Sequence, residues 1–309
     1  MRYLVTGGAG FIGSNLVEGL LRRGESVRVI DNFSTGKREN LKEFVEKIEL
    51  IEGDIRSYHI VREAVEGVDV ILHQAALPSV PRSVRDPITS NEVNVSGTLN
   101  ILDAAKDAKV KRVVFASSSS VYGDNPELPK HEGLIPNPLS PYAVSKLAGE
   151  KYCGVFSRIY GLETVALRYF NVFGPRQDPA SQYSAVIPKF ITAMLNDRQP
   201  IIYGDGEQSR DFTYVANVVE ANILAATKDN VAGIVVNCAC HGRITLNDLV
   251  KKINEILGKK ITPVYKEERL GDIKHSFANI SAAVKHLGYN AGVNFETGLQ
   301  STIVWYKKK

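Results

Sequence analysis

The chain has 309 residues and 44% hydrophobic content, enough to bury a large core in one big domain or two ordinary ones, which excludes a disordered, fibrous or small disulfide-stapled protein. Its formal charge is +4 and its longest basic run is the terminal Lys307-Lys308-Lys309, with no basic-aromatic motif beside it, so no nucleic-acid partner is expected. Cys153, Cys238 and Cys240 fall at neither metal nor disulfide spacing, no leader-like segment precedes the first strand, and no apolar run reaches the roughly 18 residues that span a bilayer, so the expectation is a cytoplasmic protein without metal or membrane partner.

Tyr3 to Val5 reads as a buried strand, followed by a glycine-rich turn, Gly7-Gly8-Ala9-Gly10-Phe11-Ile12-Gly13, and a helix over Ile12 to Arg23. Strands follow at Ser26 to Ile30, Ile48 to Glu52, Val70 to His73, Arg112 to Ala116 and Thr164 to Arg168, with helices at Ile60 to Glu66, Asn91 to Asp107 and Pro141 to Tyr160. This alternation predicts an α/β fold with a Rossmann-type doubly wound parallel sheet. Beyond it, Gly174 to Tyr183 reads as irregular, Val186 to Asn196 as helix, Gly204 to Glu207 as a turn, Gly233 to Cys238 as strand, Leu246 to Leu257 as amphipathic helix and Arg269 to Ser276 as a polar loop. Without a low-complexity linker, these segments predict a smaller α/β substrate-binding lobe grown from the end of the sheet. The expected division is a dinucleotide-binding domain at residues 1–170 with returning segments near 212–239, and a lobe from 171–211 and 240–309.

Gly8-x-Gly10-x-x-Gly13 lies after a strand and opens a helix, where backbone N–H groups and the helix dipole can face a pyrophosphate. Glycine turns also serve simply to join elements, so the context matters. Asp31 follows the second strand, where a carboxylate can accept hydrogen bonds from an adenosine ribose and repel a 2'-phosphate. Asn32, Ser34, Thr35 and Gly36 around it are neutral, which favours NAD over NADP despite Arg38 nearby. Downstream, Tyr142 and Lys146 share a helix face. At about 4 Å and a dielectric near 20 the ammonium would favour the phenolate by roughly 4 kcal/mol, and the pair is expected to supply a base poised near neutrality. The Ser117-Ser118-Ser119-Ser120 cluster ends a strand at the carboxyl edge of the sheet, where one hydroxyl can relay a substrate proton to Tyr142.

These residues resemble the extended short-chain dehydrogenase/reductase superfamily, and within it the nucleotide-sugar 4-epimerases. The resemblance runs through Gly7 to Gly13, Asp54-Ile55, His73 to Ala76, Asn94 to Thr98, Ser117 to Gly123, Ser140 to Lys146, Leu167 to Gly174, Gly204 to Phe212 and Gly271-Asp272. It implies that Ser118, Tyr142 and Lys146 are catalytic. For NAD it implies contacts from Gly7, Gly10, Phe11, Ile12 and Gly13, from Asp54 and Ile55 at the adenine, and from Gln74, Ala75 and Ala76 at the pyrophosphate and ribose. Asn94, Tyr169 and Val172 fall near the nicotinamide half. The UDP-sugar is expected against Ser79, Ser119, Ser120, Asn171, Arg210, Arg269 and Asp272, with Ala185, Val186 and Ile201 at the uracil.

Related dehydratases and decarboxylases carry carboxylates just after the active-site hydroxyl; Ser119 and Ser120 here leave oxidation and reduction at one carbon. The resemblance therefore implies inversion of C4 through a 4-keto sugar. Likeness to UDP-N-acetylglucosamine 4-epimerases makes Ser276 a gate, small enough for an N-acetyl group, and implies acceptance of UDP-GlcNAc/UDP-GalNAc and UDP-Glc/UDP-Gal. The alternatives are another UDP-sugar such as UDP-glucuronate, or a non-catalytic NAD-binding sensor. Family members commonly pair two helices per subunit, so a homodimer through Asn91 to Asp107 and Tyr142 to Tyr160 is expected. The small residues Gly97, Ala104, Ala105, Ala108, Ala148 and Gly149 permit either that approach or packing on the chain's own sheet.

Overall fold

The apolar strands assemble into one parallel sheet covered on both faces. In chain order the first half comprises β1 (Arg2–Thr6), α1 (Phe11–Arg22), β2 (Ser26–Asp31), β3 (Glu49–Glu52), α2 (Tyr58–Val65), β4 (Val70–His73), α3 (Val80–Arg85), α4 (Pro87–Asn91), α5 (Gly97–Asp107), β5 (Arg112–Ser118), α6 (Pro141–Tyr160) and β6 (Glu163–Tyr169). The second half comprises β7 (Val172–Phe173), α7 (Val186–Leu195), β8 (Ile201–Tyr203), β9 (Ser209–Arg210), β10 (Thr213–Tyr214), α8 (Val215–Thr227), β11 (Ile234–Cys238), β12 (Ile244–Thr245), α9 (Leu246–Leu257), β13 (Val264–Lys266), β14 (His275–Ser276), α10 (Ser281–Leu287) and α11 (Phe295–Lys307). The structure, a computed structural model, describes residues 1–179, 185–268 and 274–308.

The main sheet runs β11-β6-β5-β4-β1-β2-β3. Every neighbouring pair is parallel, so the expected doubly wound sheet is present. Strand order reverses at β1, which opens a crevice at the carboxyl ends of β1 and β4. Val5, Val29, Leu72 and Val114 pack on one face with Leu16 of α1 and Val218 of α8. On the other face Leu4, Ile71, Val113 and Phe115 meet Val61 of α2, Leu102 of α5 and Cys153 of α6. A separate cluster around Phe173, Ile187, Phe190, Leu249 and Ile303 forms the core of the smaller lobe. Among the described residues, no helix is long and apolar enough to cross a membrane.

Two expectations need correction, and the small helix residues take one of the two places left open for them. Asn91 to Asp107 is not one regular helix: Glu92–Ser96 forms a wider π turn between α4 and α5. The polar loop at 269–276 ends in a strand, because His275 and Ser276 pair in parallel with Ser209 and Arg210; residues 269–273 lie outside the described residues. The small residues on the helices mainly face inward. A Cβ on Gly97 would stand 2.6 Å from Ile55, and Ala104 and Ala105 are buried. The outward face of α6 instead carries Val144, Tyr152, Val155 and Ile159, all exposed.

Candidate functional site

Gly7 leaves β1 with a positive φ of 67°, and a Cβ there would meet the Ala75 backbone at 2.8 Å. At Gly13 the fit is tighter still, with a Cβ 2.1 Å from the Gly7 carbonyl oxygen. Only glycine lets the first turn of α1 close onto the strand end. Gly10 caps α1 without a side-chain bond, so the first-turn N–H groups of Phe11 and Ile12 have no partner within the helix and border the crevice. The crevice is a cavity of about 770 Å³ running from Asp31 to Gly36 and Gly53 to Ile55, past Gln74 to Ser79, to Tyr142, Lys146, Tyr169 and Ala185.

Asp31 does two things at once. Its oxygens accept the backbone N–H groups of Ala9 (2.9 Å) and Phe33 (2.8 Å), shaping the loop, while the residue also lines the cavity. Burial raises its carboxyl pKa, and those two bonds oppose the rise. Asp54 accepts from Asn32 Nδ2 (2.9 Å) and Arg56 (2.8 Å), and Arg56 draws its pKa down. The glycine cradle, free first-turn amides and buried carboxylate fit a dinucleotide by the chemistry of their donors and acceptors.

At the other end, Ser140 caps α6 by accepting the Ala143 N–H, and Pro141 occupies the first turn. The Tyr142 N–H, an orphan of that turn, donates 3.0 Å to Ser83 Oγ on α3. Ser118, at the end of β5, stands near enough to the Tyr142 phenol to oppose the rise in its pKa. Lys146 is 3% exposed; its Nζ donates 2.9 Å to the Ala116 carbonyl and lies 5.9 Å from the Tyr142 ring centroid. Burial dominates both groups: it pushes the phenol up, with Ser118 opposing, and brings Lys146 down to about 8. Burial thus opposes the phenolate that Lys146 is expected to favour. Desolvation outweighs an ammonium aimed at a carbonyl.

Of the other expected positions, Gln74, Ala75, Ala76, Ser79, Tyr169 and Ala185 line the cavity. Tyr169 and Gln74 join Asn222 of α8 in a hydrogen-bonded triangle, at 3.1 Å from Tyr169 Oη to Gln74 and 2.8 Å from Asn222 Nδ2 to Tyr169 Oη. Ser79 caps α3 with φ at 98°. Asn94 does not line the cavity; its carboxamide clamps the Leu77 backbone and Ser145. Val172, Asn171, Val186, Ile201, Arg210 and Ser276 also stand outside its walls, as do Ser118, Ser119 and Ser120, although Ser117 is part of them. Arg210 and Ser276 face each other across β9 and β14. Arg269 and Asp272 lie outside the described residues.

The sequence reading missed Asp211, fully buried, which accepts from the Cys240 (3.0 Å) and Ala278 (3.2 Å) amides and so ties β9 to the segment after β14. It missed Asn222, for which α8 offers no periodic signal. It also missed Glu150, which was readable four residues beyond Lys146 on the same helix face.

The chain matches the NAD dependent epimerase/dehydratase family over residues 3–239. It is similar to the UDP-N-acetylglucosamine 4-epimerase from Methanobrevibacter ruminantium M1, solved with UDP-N-acetylmuramic acid, at 44% identity and a TM-score of 0.95 over 99% of this chain and 98% of that one. The Thermotoga maritima UDP-glucose 4-epimerase, solved with UDP-glucose, matches at 38% identity and a TM-score of 0.95, covering 100% and 99%. The UDP-glucose 4-epimerase of Mycolicibacterium smegmatis is 37% identical over 313 residues, covering 100% of this chain and 99% of its own.

Proposed function

This chain belongs to the NAD-dependent epimerase/dehydratase family, and from that premise we propose that it inverts C4 of a UDP-hexose through a 4-keto intermediate, accepting UDP-GlcNAc/UDP-GalNAc and UDP-Glc/UDP-Gal. The observation that carries the reading is Tyr142 and Lys146 on the cavity wall, with Ser118 behind the wall beside the Tyr142 phenol and serines rather than carboxylates at 119 and 120. When bound, NAD supplies the acceptor and then the donor of the C4 hydrogen. Gly7 to Gly13 and Asp31 would hold it, with Tyr169 and Lys146 at its nicotinamide end.

In this mechanism Tyr142 takes the proton of the C4 hydroxyl, and Ser118 bridges phenol and sugar. Lys146, held at the Ala116 carbonyl, opposes the cost of phenolate charge in a desolvated wall. The ketone turns about its diphosphate link and Tyr142 returns the proton on the other face. Arg210, Arg269 and Asp272 hold the diphosphate end in this reading, while Ser276 leaves room for the N-acetyl group. We further propose a homodimer closed by the exposed apolar face of α6, Val144, Tyr152, Val155 and Ile159, because such a stripe is rarely left to water.

Initial rates on UDP-GlcNAc and UDP-glucose, resolved by proton NMR, test the reading, with Tyr142→Phe alongside. Turnover of both sugars, lost about 10²-fold or more in a variant that still binds nucleotide, is expected. Activity on UDP-glucose alone would refute the open sugar pocket. Activity on UDP-glucuronate alone, or undiminished function in Tyr142→Phe, would overturn the assignment.

A further inference from the structure

Two consecutive residues at the end of β5 are tied to α6, and the next stands beside it: Lys146 holds the Ala116 carbonyl, Ser117 Oγ donates 2.5 Å to Glu150 Oε1, and Ser118 lies near the Tyr142 phenol. Glu150 is 4% exposed and lies one turn beyond Lys146 and two beyond Tyr142 on the same face. Its carboxylate also accepts both arms of Arg168, from Nε and Nη2 at 2.8 Å each. Arg168 is opposite Ser117 in the β5–β6 ladder, and its guanidinium stands 4.7 Å from the Tyr122 ring, on the turn that follows Ser118. The carboxylate thus binds the strand end directly, through Ser117, and its neighbouring strand, through Arg168.

A buried ion pair of this kind is a weak source of stability, since desolvating both ions offsets their attraction, and well-packed apolar replacements are often neutral or better. Its location gives it another use. We propose that Glu150 is a positioning residue for the reaction: through Ser117 it sets the end of β5, and with it the Ser118 hydroxyl, in register with Tyr142. The inference rests on the epimerase reading of Tyr142 and Ser118. Glu150 does not line the cavity, so its removal should act on kcat and leave KM in place.

The test compares Glu150→Gln, Ser117→Ala and the double replacement Glu150→Met with Arg168→Met. All three should lower kcat about tenfold or more, because misplacement by about 1 Å costs about 10²-fold, while KM for the UDP-sugar and the bound NAD content stay at wild-type values. The double variant should melt near the wild type yet stay slow. A folded double variant at full kcat, or losses that track only the folded fraction, would overturn the proposal. If the double variant does not fold, Ser117→Ala, which deletes one hydroxyl, decides: a tenfold loss supports the tether and an unchanged kcat refutes it. A wild type inactive on every UDP-sugar would instead remove the epimerase reading. The tether is then judged on the phenolate absorbance of Tyr142, with Tyr142→Phe as blank. Ser117→Ala should move that titration upward if Ser118 loses its register, and no movement refutes the tether.

Discussion

Replacing Lys146 with Met should make the protein more stable at neutral pH while abolishing turnover. Burial lowers the ammonium from the ordinary lysine value of 10.5 to about 8. That lowering corresponds to a destabilisation of about 3 kcal/mol below the folded value, at about 1.4 kcal/mol per unit. Lys146→Met also deletes the bond to the Ala116 carbonyl, which costs about 1 to 1.5 kcal/mol. The net is a gain of about 2 kcal/mol, or a rise in Tm of about 4 °C at about 2 °C per kcal/mol for a chain of this size. The sign with pH follows from the depressed value. Between about 8 and 10.5 the unfolded chain binds a proton that the folded chain does not, so wild-type stability rises with pH there. The variant's advantage should shrink by about 2 kcal/mol between pH 7 and 9.5. Denaturant titrations of both proteins at the two pH values measure it. A variant less stable at pH 7, or an advantage that does not narrow, would refute burial as the source of the shift.

The same group predicts an alkaline limb: if the protonated lysine assists Tyr142, kcat/KM on a UDP-sugar should fall as pH rises through about 8, and a flat profile from pH 7 to 9 would count against it. Ser276→Tyr should depress turnover of the acetylated sugar about tenfold more than that of UDP-glucose, and equal loss on both would remove the gate. Gly149→Ala should lower stability by about 1 to 2 kcal/mol after its helix-propensity gain, because the new Cβ would stand 2.3 Å from Phe115, and Phe115→Leu should recover part of the loss. A thermal melt of the single and double variants checks this.

The sheet was legible because its strands are short apolar runs between strong turns, and because the glycine spacing places one particular turn after β1. At the other end of the cavity, helical spacing puts Tyr142 and Lys146 on one face and a strand end marks the serine cluster, whereas Ser118 was singled out within that cluster only by the family resemblance. The smaller lobe was not legible in the same way. Strands β7, β9, β10, β12 and β14 are two residues each, too short for any alternation to register. Helix α8 gives no clear amphipathic stripe in the sequence because the polar Asn217 and Asn222 sit within its buried face beside Val218 and Ala221. A side-chain hub such as Asp211 depends on partners 29 and 67 residues away, and nothing local marks it.

The contrast bears on where specificity can vary. The dinucleotide half is set largely by main chain: the Gly7 and Gly13 contacts, the Asp31 bonds to Ala9 and Phe33, and a seven-stranded ladder leave little that can shift alone. The sugar half hangs on few bonds. Strand β14 is held by two register pairs to β9, by the Asp211 N–H to the Ser276 carbonyl at 2.9 Å, and by the Lys130 N–H to the Phe277 carbonyl at 2.9 Å. The Asp211 carboxylate then fixes Ala278 just beyond. A side-chain change at 276 therefore breaks no main-chain bond, since each of these bonds uses backbone of β14 or of the residues after it. If Ser276 gates the sugar as proposed, substitution there should change the sugar choice at little cost to the fold, whereas a side chain at Gly13 would meet the Gly7 carbonyl. Ser276→Tyr is accordingly expected to leave Tm within about 1 °C of the wild type, within the usual ±0.5 kcal/mol of substitutions away from packed features. A variant that loses both sugars together with several degrees of Tm would place β14 among the fixed parts instead.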